Sequence, residues 1–355
     1  MPIRPDAAAR SPAIRWDRRS LQLLDQRRLP EETTYVTCTT AAEVARAIRD
    51  MVVRGAPAIG VAAAYGVALS ARQHAELPAE MRPAALAADL DALARARPTA
   101  VNLGWALARL RPRAEQGAPF RELAAAAEAL HEEDVAVNAA LARLGAERVG
   151  PDATVLTHCN TGPLATGGIG TALGVITRAW HDGRIRAVLF TETRPWLQGA
   201  RLTSWELSAA GIPATLLADS AAGSRAAAGG ADWLIVGADR VAANGDVVNK
   251  IGTAALAALT RQGGGRVMVV APFSTVDLEL ARGVDVAIER RPGEELWRAT
   301  GAETIPEGIA IDNPVFDVTP ASAVDLLVTE RGVVAPAEGG APTVLEGGGM
   351  IEFSD

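Results

Sequence analysis

Five short apolar runs in the second half of the chain constrain the fold more than any other feature of the sequence. Stretches with helical spacing separate each run from the next. Short apolar strands that alternate with helices indicate a parallel sheet covered on both faces. Because the pattern begins after Gly150-Pro151, we predict an α/β domain with a mostly parallel sheet over residues 151–336. The predicted strands are residues 154–156, 186–190, 214–217, 233–236 and 266–270.

Polar residues follow four of these five predicted strands. The carboxyl ends of parallel strands meet at one edge of an open sheet, and ligands bind in the crevice at that edge. We therefore expect the polar groups to lie around one binding site. They are Cys159, the triplet Glu192-Thr193-Arg194, Asp219 and the pair Asp239-Arg240, while Pro272 follows the fifth strand.

The segment ATVLTHCNTGPLATGGIGTALG, residues 153–174, predicts a strand, a glycine-rich turn and a helix that resumes near Gly170. Cys159 falls at the exit of the strand. Backbone N–H groups of the turn and the start of the next helix favour an anion there. The segment predicts an active site for a phosphorylated small molecule. The alternative for Cys159 is a small buried apolar residue, the usual role of a lone cysteine.

Two long polar stretches follow other strands of the predicted sheet. Residues 191–207 read TETRPWLQGARLTSWEL and contain two tryptophans, which a plain surface loop would not need. Residues 237–253 read GADRVAANGDVVNKIGT, where Asn244-Gly245 predicts a tight turn. Asn249-Lys250 is predicted at the start of a helix, a position that suits a phosphate group. For Asp239, a salt bridge to Arg240 or a helix cap remains an alternative.

The first 150 residues have a different pattern, which predicts a mainly helical N-terminal domain with a few short strands within residues 14–38. Thr40 and Glu43 form a capping-box signature before the first helix. Residues 337–355 are rich in Gly, Pro and Glu and are predicted to form a loose tail. The predicted helices are residues 41–53, 59–74, 84–95, 103–111 and 120–148.

Two arginines in the N-terminal half stand beside chain breaks. Arg54 precedes Gly55-Ala56-Pro57, where free N–H groups at a helix start could bind an anion. A helix-to-helix corner with a solvated arginine explains the same residues. Arg97 precedes Pro98, and its spacing alone favours a solvated surface residue.

Composition excludes several classes of protein. The net charge of the 355 residues is −7, which argues against a general nucleic-acid binder. Two cysteines without paired spacing argue against a disulfide framework or a structural zinc site and fit a reducing cytosol. No signal peptide or span of membrane length is evident, so we expect a cytoplasmic protein. Neither the dinucleotide fingerprint nor a phosphate-loop sequence is present, so nicotinamide and ATP chemistry are poorly supported.

Five runs, in order along most of the chain, together resemble the methylthioribose-1-phosphate isomerases, which are related to the regulatory subunits of the eukaryotic initiation factor two B complex. The last two runs are long enough to be specific. The five are RGAPAIG at 54–60, RPTAVN at 97–102, HCNTG at 158–162, ETRPWLQGARLTSWEL at 192–207 and GADRVAANGDVVNKIGT at 237–253.

The resemblance implies a two-domain homodimer, with a helical N-terminal part and a Rossmann-like C-terminal part. It implies an aldose–ketose isomerase that converts 5-methylthioribose 1-phosphate to 5-methylthioribulose 1-phosphate in methionine salvage, without a metal or organic cofactor. Asp239 matches the family's proton donor, and Cys159 matches a residue assigned to the transition state. The matching substrate-binding positions are Arg54, Gly55, Ala56, Arg97, Gln198, Asn249 and Lys250.

The chemistry explains why such residues are needed. The phosphate blocks the anomeric oxygen of an aldose 1-phosphate, so the enzyme must force the ring to open. We hypothesise that Asp239, kept protonated by burial, donates a proton to the ring oxygen. Cys159 could then carry a proton from C2 to C1, or only stabilise charge during a hydride shift. The sequence does not separate these two routes.

Two other functions remain open. A sister isomerase would act on ribose 1,5-bisphosphate or 5-deoxyribose 1-phosphate with the same acid and thiol. A non-catalytic regulatory subunit of the initiation-factor type would bind a partner protein, but it would need neither Cys159 nor Asp239.

Overall fold

The computed structural model describes residues 11–97, 101–298, 301 and 304–347, and these form two compact units. The first contains residues up to 139 together with 161–170 and is called the helical unit below. The second contains residues 140–160 and 171–347 and is called the sheet unit. The chain passes from one to the other inside a long helix and again on either side of residues 161–170.

The helical unit contains a three-stranded antiparallel sheet followed by packed helices. The capping box predicted at the first helix is present, because the Thr40 side chain accepts from the Glu43 N–H and the Glu43 carboxylate accepts from the Thr40 N–H. The elements are β1 Ile14–Trp16, β2 Leu21–Leu24, β3 Tyr35–Cys38, α1 Ala41–Arg49, α2 Ala56–Gln73, α3 Arg82–Ala94, α4 Val101–Glu115 and α5 Phe120–Glu147, of which α5 continues into the sheet unit.

Four of the five predicted helices agree closely with the structure, and the first is shorter than predicted. It ends at Arg49 because Met51 has a left-handed backbone (φ +57°), which stops the helix before the predicted end at residue 53. Helix α2 is buried along nearly its whole length. Its alanines and glycines allow close packing of neighbouring helices, and Tyr65 at its centre is fully buried.

The sheet unit is built on a seven-stranded sheet that confirms the predicted α/β class. Six of its strands are parallel, and β14 pairs antiparallel with β13 at one edge. The strand order is β14-β13-β10-β7-β4-β5-β6. The elements are β4 Ala153–Thr157, α6 Ala172–His181, β5 Ile185–Thr191, α7 Ser204–Ala209, β6 Ala214–Leu217, α8 Asp219–Ala227, β7 Trp233–Val236, α9 Thr253–Gln262, β10 Arg266–Val270, β13 Leu326–Thr329 and β14 Gly332–Val334.

The core of this unit lies between the sheet and helices α8 and α9. Leu156, Leu234 and Leu327 from three strands pack with Ala222 of α8 and Ala257 of α9, all without exposed surface. Each fully buried leucine contributes roughly 1.5–3 kcal/mol relative to an exposed one. Strands β4, β7 and β10 are buried along all or most of their length, as predicted for strands covered on both faces. Strand β6, at one edge of the sheet, is largely exposed, so its apolar run does not mark a covered strand.

A second, four-stranded sheet in the sheet unit was not predicted. Its order is β11-β8-β9-β12, and β8 and β9 form a hairpin whose turn contains Gly245 (φ +88°). Asn249 and Lys250 end a strand instead of starting a helix, because the left-handed Gly252 separates them from α9. The remaining elements are β8 Arg240–Ala242, β9 Val247–Lys250, β11 Val276–Asp277, α10 Glu294–Arg298 and β12 Phe316–Thr319.

The described part of the chain ends in two 3-10 helices, at Pro336–Glu338 and Pro342–Gly347, and Leu345 is fully buried in the core. Of the predicted tail, residues 348–355 lie outside the described residues. Among the described helices, none is both long and apolar enough to cross a membrane.

Candidate active site

Cys159 and Asp239 follow two neighbouring strands of the seven-stranded sheet. Strands β4 and β7 are parallel and paired, with Leu156 opposite Leu234. Cys159 comes two residues after β4, and Asp239 comes three residues after β7. Neighbouring strands lie about 4.8 Å apart, so the thiol and the carboxyl belong to the same edge of the sheet.

The backbone of Cys159 has an unusual conformation that two side chains hold, and a third side chain contacts its sulfur. Its φ is +70°, a left-handed value that costs a non-glycine residue roughly 1–3 kcal/mol. Its N–H donates to Thr193 Oγ1 (3.0 Å), and its C=O accepts from Thr203 Oγ1 (2.8 Å). The sulfur accepts from Gln198 Nε2 (3.3 Å). The cysteine is only 7% exposed. Its N–H, its C=O and its sulfur are therefore all held by neighbouring side chains in a buried position.

Gln198 stands directly before a short π-helix, Gly199–Thr203. Such π-helical turns are rare and occur often at functional sites. Gly199 allows this close packing, because a Cβ there would lie 1.8 Å from the Thr191 carbonyl oxygen. The side chain of Gln198 is 3% exposed, and its Oε1 is buried without a hydrogen-bond partner among the described residues. Buried polar atoms are nearly always hydrogen-bonded in folded proteins, so this amide oxygen is a candidate acceptor for a donor outside the chain.

Asp239 lies at the entrance to the second sheet. Its N–H donates to the Val248 carbonyl (3.0 Å), which ties the end of β7 to strand β9. Its side chain is partly buried. The neighbouring Arg240 forms its ion pair with Asp277 (3.3 Å). The ion pair shown for this arginine is therefore with Asp277 and not with Asp239, the partner considered in the sequence analysis.

Asn249 and Lys250 are 3% and 7% exposed and lie at the end of β9. The Asn249 side chain donates to Thr253 Oγ1 (3.0 Å), the first residue of α9. The Lys250 ammonium lies 4.3 Å from the centre of the Phe316 ring. The face of an aromatic ring attracts a cation, and an ammonium group suits the binding of an anion.

The sequence analysis missed Asp317, which supports this turn from strand β12. Asp317 lies directly opposite Asn249, and its Oδ2 accepts from the N–H groups of Gly252 (2.8 Å) and Ala254 (3.1 Å). Burial raises its pKa to about 6, against the two hydrogen bonds and the nearby Lys250 charge. No local pattern could have revealed it, because its partners lie more than sixty positions earlier in the chain.

A second missed group follows Cys159 directly. Asn160 donates through its Nδ2 to the carboxylate of Glu206 and to Thr203 Oγ1 (3.3 Å), and all three residues are at most 2% exposed. Glu206 and Thr203 lie in the polar stretch at 191–207. These bonds fasten the peptide after the thiol to the π-helix and to α7.

The glycine-rich segment that continues from Asn160 belongs to the helical unit and is held there by one face of α5. Asp134 accepts from the Gly167 N–H (2.7 Å), Asn138 accepts from the Gly170 N–H (2.9 Å), and His131 Nε2 contacts the Gly167 carbonyl (2.9 Å). The buried His131 is therefore a packing and hydrogen-bonding residue.

The remaining predicted site residues, Arg54, Gly55, Ala56 and Arg97, are in the helical unit, whereas Cys159, Gln198, Asp239, Asn249 and Lys250 are in the sheet unit. Gly55 (φ +94°) is the N-cap of α2 and offers no side-chain cap, so the first N–H groups of that helix have no side-chain acceptor at the cap. Arg54 and Arg97 are both partly buried. Pro98 to Ala100, beside Arg97, lie outside the described residues.

Neither cysteine forms a disulfide. Burial raises the pKa of Cys38 to about 11, so this thiol is inert near neutral pH. Within the described ranges, no group of three or more His, Cys, Asp or Glu side chains is arranged to hold a metal ion. The groups gathered in the sheet unit are a thiol with an amide donor, a carboxyl and a buried ammonium, which suit proton transfer on a small anionic molecule.

Comparison with known proteins gives consistent matches. The model of the initiation factor 2 subunit family matches residues 52–336. A methylthioribose-1-phosphate isomerase of Alkalilimnicola ehrlichii is 57% identical over 325 residues, which cover 91% of this chain and 94% of that protein.

Two solved structures have the same fold over almost the whole chain. The crystal structure of 5-methylthioribose 1-phosphate isomerase from Pyrococcus horikoshii is 42% identical with a TM-score of 0.84, covering 91% of this chain and 92% of that one. The structure described as translation initiation factor eIF-2B, subunit delta, from A. fulgidus is 41% identical with a TM-score of 0.83, covering 94% and 99%.

Proposed function

The chain belongs to the initiation factor 2 subunit family, and from this premise we propose that it isomerises 5-methylthioribose 1-phosphate to 5-methylthioribulose 1-phosphate. The observation that carries the proposal is the 57% identity to a methylthioribose-1-phosphate isomerase across 94% of that enzyme. The neighbouring strand exits of Cys159 and Asp239 support it, because an aldose–ketose isomerase needs acid and base groups around one sugar.

In the proposed mechanism, Asp239 protonates the ring oxygen and opens the sugar. Cys159 then acts at the C1–C2 unit, either as the base that moves a proton or as a group that stabilises charge during a hydride shift. The Gln198 amide donates to the sulfur and so contacts the atom that acts in either route. An isotope experiment distinguishes the two routes. In the proton route, deuterium from the solvent enters C1 of the product. In the hydride route, deuterium placed on C2 of the substrate is fully retained in the product.

From the family resemblance, substrate binding is proposed for seven residues. Lys250 and Asn249 supply a buried ammonium and an amide near the phosphate, and Gln198 supplies an amide oxygen that lacks a donor. In the helical unit, Arg54 and Arg97 supply positive charge, and the Gly55-Ala56 start of α2 supplies backbone N–H groups.

The test is to measure kcat/KM of the purified protein for the methylthio sugar together with the variants Cys159→Ala and Asp239→Asn. We expect each substitution to lower kcat by at least about 10²-fold, since each removes a group that transfers a proton. Cys38→Ala and Asp182→Asn are matched controls, because Cys38 is a buried thiol of the helical unit and Asp182 forms an exposed pair with Arg178. Turnover by both site variants at the wild-type rate would refute the assignment.

Two alternatives are tested in the same assay. A sister isomerase would give its highest kcat/KM with 5-deoxyribose 1-phosphate or ribose 1,5-bisphosphate. A non-catalytic regulatory subunit, favoured by the 41% identity to the A. fulgidus protein, would turn over none of the three sugars while remaining folded. We also propose a homodimer, from the family resemblance, and a cytoplasmic protein that does not bind nucleic acid, from the composition.

A further inference from the structure

A continuous line of buried hydrogen bonds joins Cys159 to the turn after Lys250. The Cys159 N–H contacts Thr193 Oγ1 (3.0 Å), which contacts Thr191 Oγ1 (2.7 Å), which contacts His158 Nδ1 (2.6 Å). The other ring nitrogen of His158 contacts the Ile251 carbonyl (2.9 Å). We call Thr193, Thr191 and His158 the relay; their side chains are at most 1% exposed.

The neutral form of His158 gives every bond a direction. The Ile251 carbonyl can only accept, so Nε2 carries the proton and donates to it. In the neutral ring Nδ1 then accepts from the Thr191 hydroxyl, whose oxygen accepts from Thr193. The Thr193 oxygen accepts from the Cys159 N–H. Burial lowers the pKa of His158 and so favours this neutral form.

The relay lies where two residues with side chains have a left-handed backbone. Thr193 has φ +62°, beside Cys159 at +70°. The N–H of Thr193 donates to Asp219 Oδ1 (2.8 Å), and the next N–H, that of Arg194, donates to Asp219 Oδ2 (2.8 Å). Asp219 thus fixes the loop that carries the Thr193 hydroxyl. A left-handed residue persists only when its surroundings hold it in place.

At its other end the relay reaches the segment that carries the proposed phosphate ligands. Ile251 follows Lys250 directly, and Gly252 (φ +102°) packs so closely that a Cβ there would lie 3.3 Å from the His158 ring. The same relay therefore touches both the thiol segment and the Asn249-Lys250 segment.

We propose that Thr193, Thr191 and His158 are positioning residues that hold Cys159 in its left-handed conformation and fix its distance from the Asn249-Lys250 segment. Their hydrogen bonds reach the two segments through backbone groups, the Cys159 N–H and the Ile251 carbonyl. This inference rests on the proposed function for its catalytic consequence, whereas its structural part concerns Cys159 alone.

The experiment compares Thr193→Val, which keeps the shape and removes the hydroxyl, with Thr193→Ser, which keeps the hydroxyl. Thr260→Val is the matched control, because Thr260 is fully buried and its Oγ1 has no hydrogen-bond partner among the described residues. For Thr193→Val we expect kcat for the methylthio sugar to fall about 30-fold with KM changed less than threefold. Thr193→Ser should stay within about fivefold of wild type.

A second readout does not depend on the substrate. The rate of alkylation of Cys159 by iodoacetamide, located by mass spectrometry, should rise several-fold in Thr193→Val because the backbone is released. Cys38 should remain unmodified, which separates local release from unfolding. Thr191→Val should change both readouts in the same direction, which provides a second test if Thr193→Val does not fold.

Two results would overturn the proposal: both valine variants matching Thr260→Val in kcat and alkylation rate, or Thr193→Ser being as impaired as Thr193→Val. If the wild-type protein turns over none of the sugars, the proposed function fails, and the relay is judged on the alkylation rates alone.

Discussion

At the scale of single residues, the candidate site contains three of the six non-glycine residues with a left-handed backbone that the structure describes. Cys159, Thr193 and Leu197 have φ values of +70°, +62° and +58°, and the Leu197 N–H donates to the Thr193 carbonyl (2.9 Å). These conformations are costly for residues with a Cβ and occur most often where function requires them. All three lie in two of the runs that carry the family resemblance.

Gln198 donates to the Cys159 sulfur and is proposed above to bind the substrate, so its loss should affect both. We expect Gln198→Met to lower kcat/KM for the methylthio sugar by about 10²-fold, since the observed hydrogen bond and the proposed one, of about 1–1.5 kcal/mol each, are removed. The alkylation rate of Cys159 should change as well, because the amide that contacts the sulfur is gone.

Gln262→Met is the control for this change, because Gln262 is exposed at the end of α9. Equal kcat/KM and alkylation rates in the two methionine variants would contradict the role assigned to Gln198.

Alanine substitutions at Gly55 and Gly104 of the helical unit should change the free energy of unfolding in opposite directions. A Cβ at Gly55 (φ +94°) would lie 2.5 Å from the Ala165 Cα, whereas a Cβ at Gly104 meets nothing within 4 Å. We expect Gly55→Ala to lower the free energy of unfolding by about 2 kcal/mol or more and Gly104→Ala, inside helix α4, to raise it by about 0.5–1 kcal/mol. Urea-induced unfolding measures both, and a shift of the same sign would show that the argument is wrong.

At the scale of elements, the hairpin β8–β9 and strand β12 place the proposed phosphate ligands. Asn249 and Lys250 leave the hairpin at the left-handed Gly252, and Asp317 on β12 caps the start of α9 beyond it. Asn244-Gly245 predicted the turn of the hairpin, but nothing local predicted β12 as its neighbour. The pairing of β9 with β12 joins segments more than sixty residues apart, and such partners are chosen by packing.

The cap by Asp317 leads to a pH dependence of stability. Its pKa is about 6 in the fold against the ordinary 3.8, so between about pH 4 and 6 the native state retains a proton that the unfolded chain releases. Stability from this group is therefore present at low pH and is lost as the pH rises through that range. Relative to Asp317→Asn, we expect the wild-type free energy of unfolding to drop by about 2 kcal/mol between pH 4 and pH 7.

Urea unfolding of both proteins at several pH values measures this difference, and other titrating groups cancel in the comparison. Asp312→Asn serves as the control, because Asp312 is an exposed partner of Arg290. A wild-type-minus-variant difference that stays constant from pH 4 to pH 7 would contradict the effect of burial on Asp317.

At the scale of the whole molecule, the hydrophobic pattern of the sequence predicted the parallel sheet but not the roles of the site residues. The alternation of apolar runs with helices predicted the parallel sheet, and its five strands are present at the positions expected. The position of Cys159 and Asp239 at the same edge of the sheet followed from that prediction, because parallel strands have their carboxyl ends at one edge. The predicted domain boundary at Gly150 and the catalytic and binding roles of the nine site residues stay predictions.

The sequence by itself determined the elements whose signals are local: buried strands, the capping box at Thr40, and the strand exits at Cys159 and Asp239. Only the tertiary structure decided which distant side chains hydrogen-bond the site. Thr193 accepts from the Cys159 N–H, Glu206 accepts from Asn160, and Asp317 accepts from the turn after Lys250. The physical reason is that hydrophobic periodicity and capping act over a few residues, whereas a buried polar atom accepts whichever partner folding brings within about 3 Å.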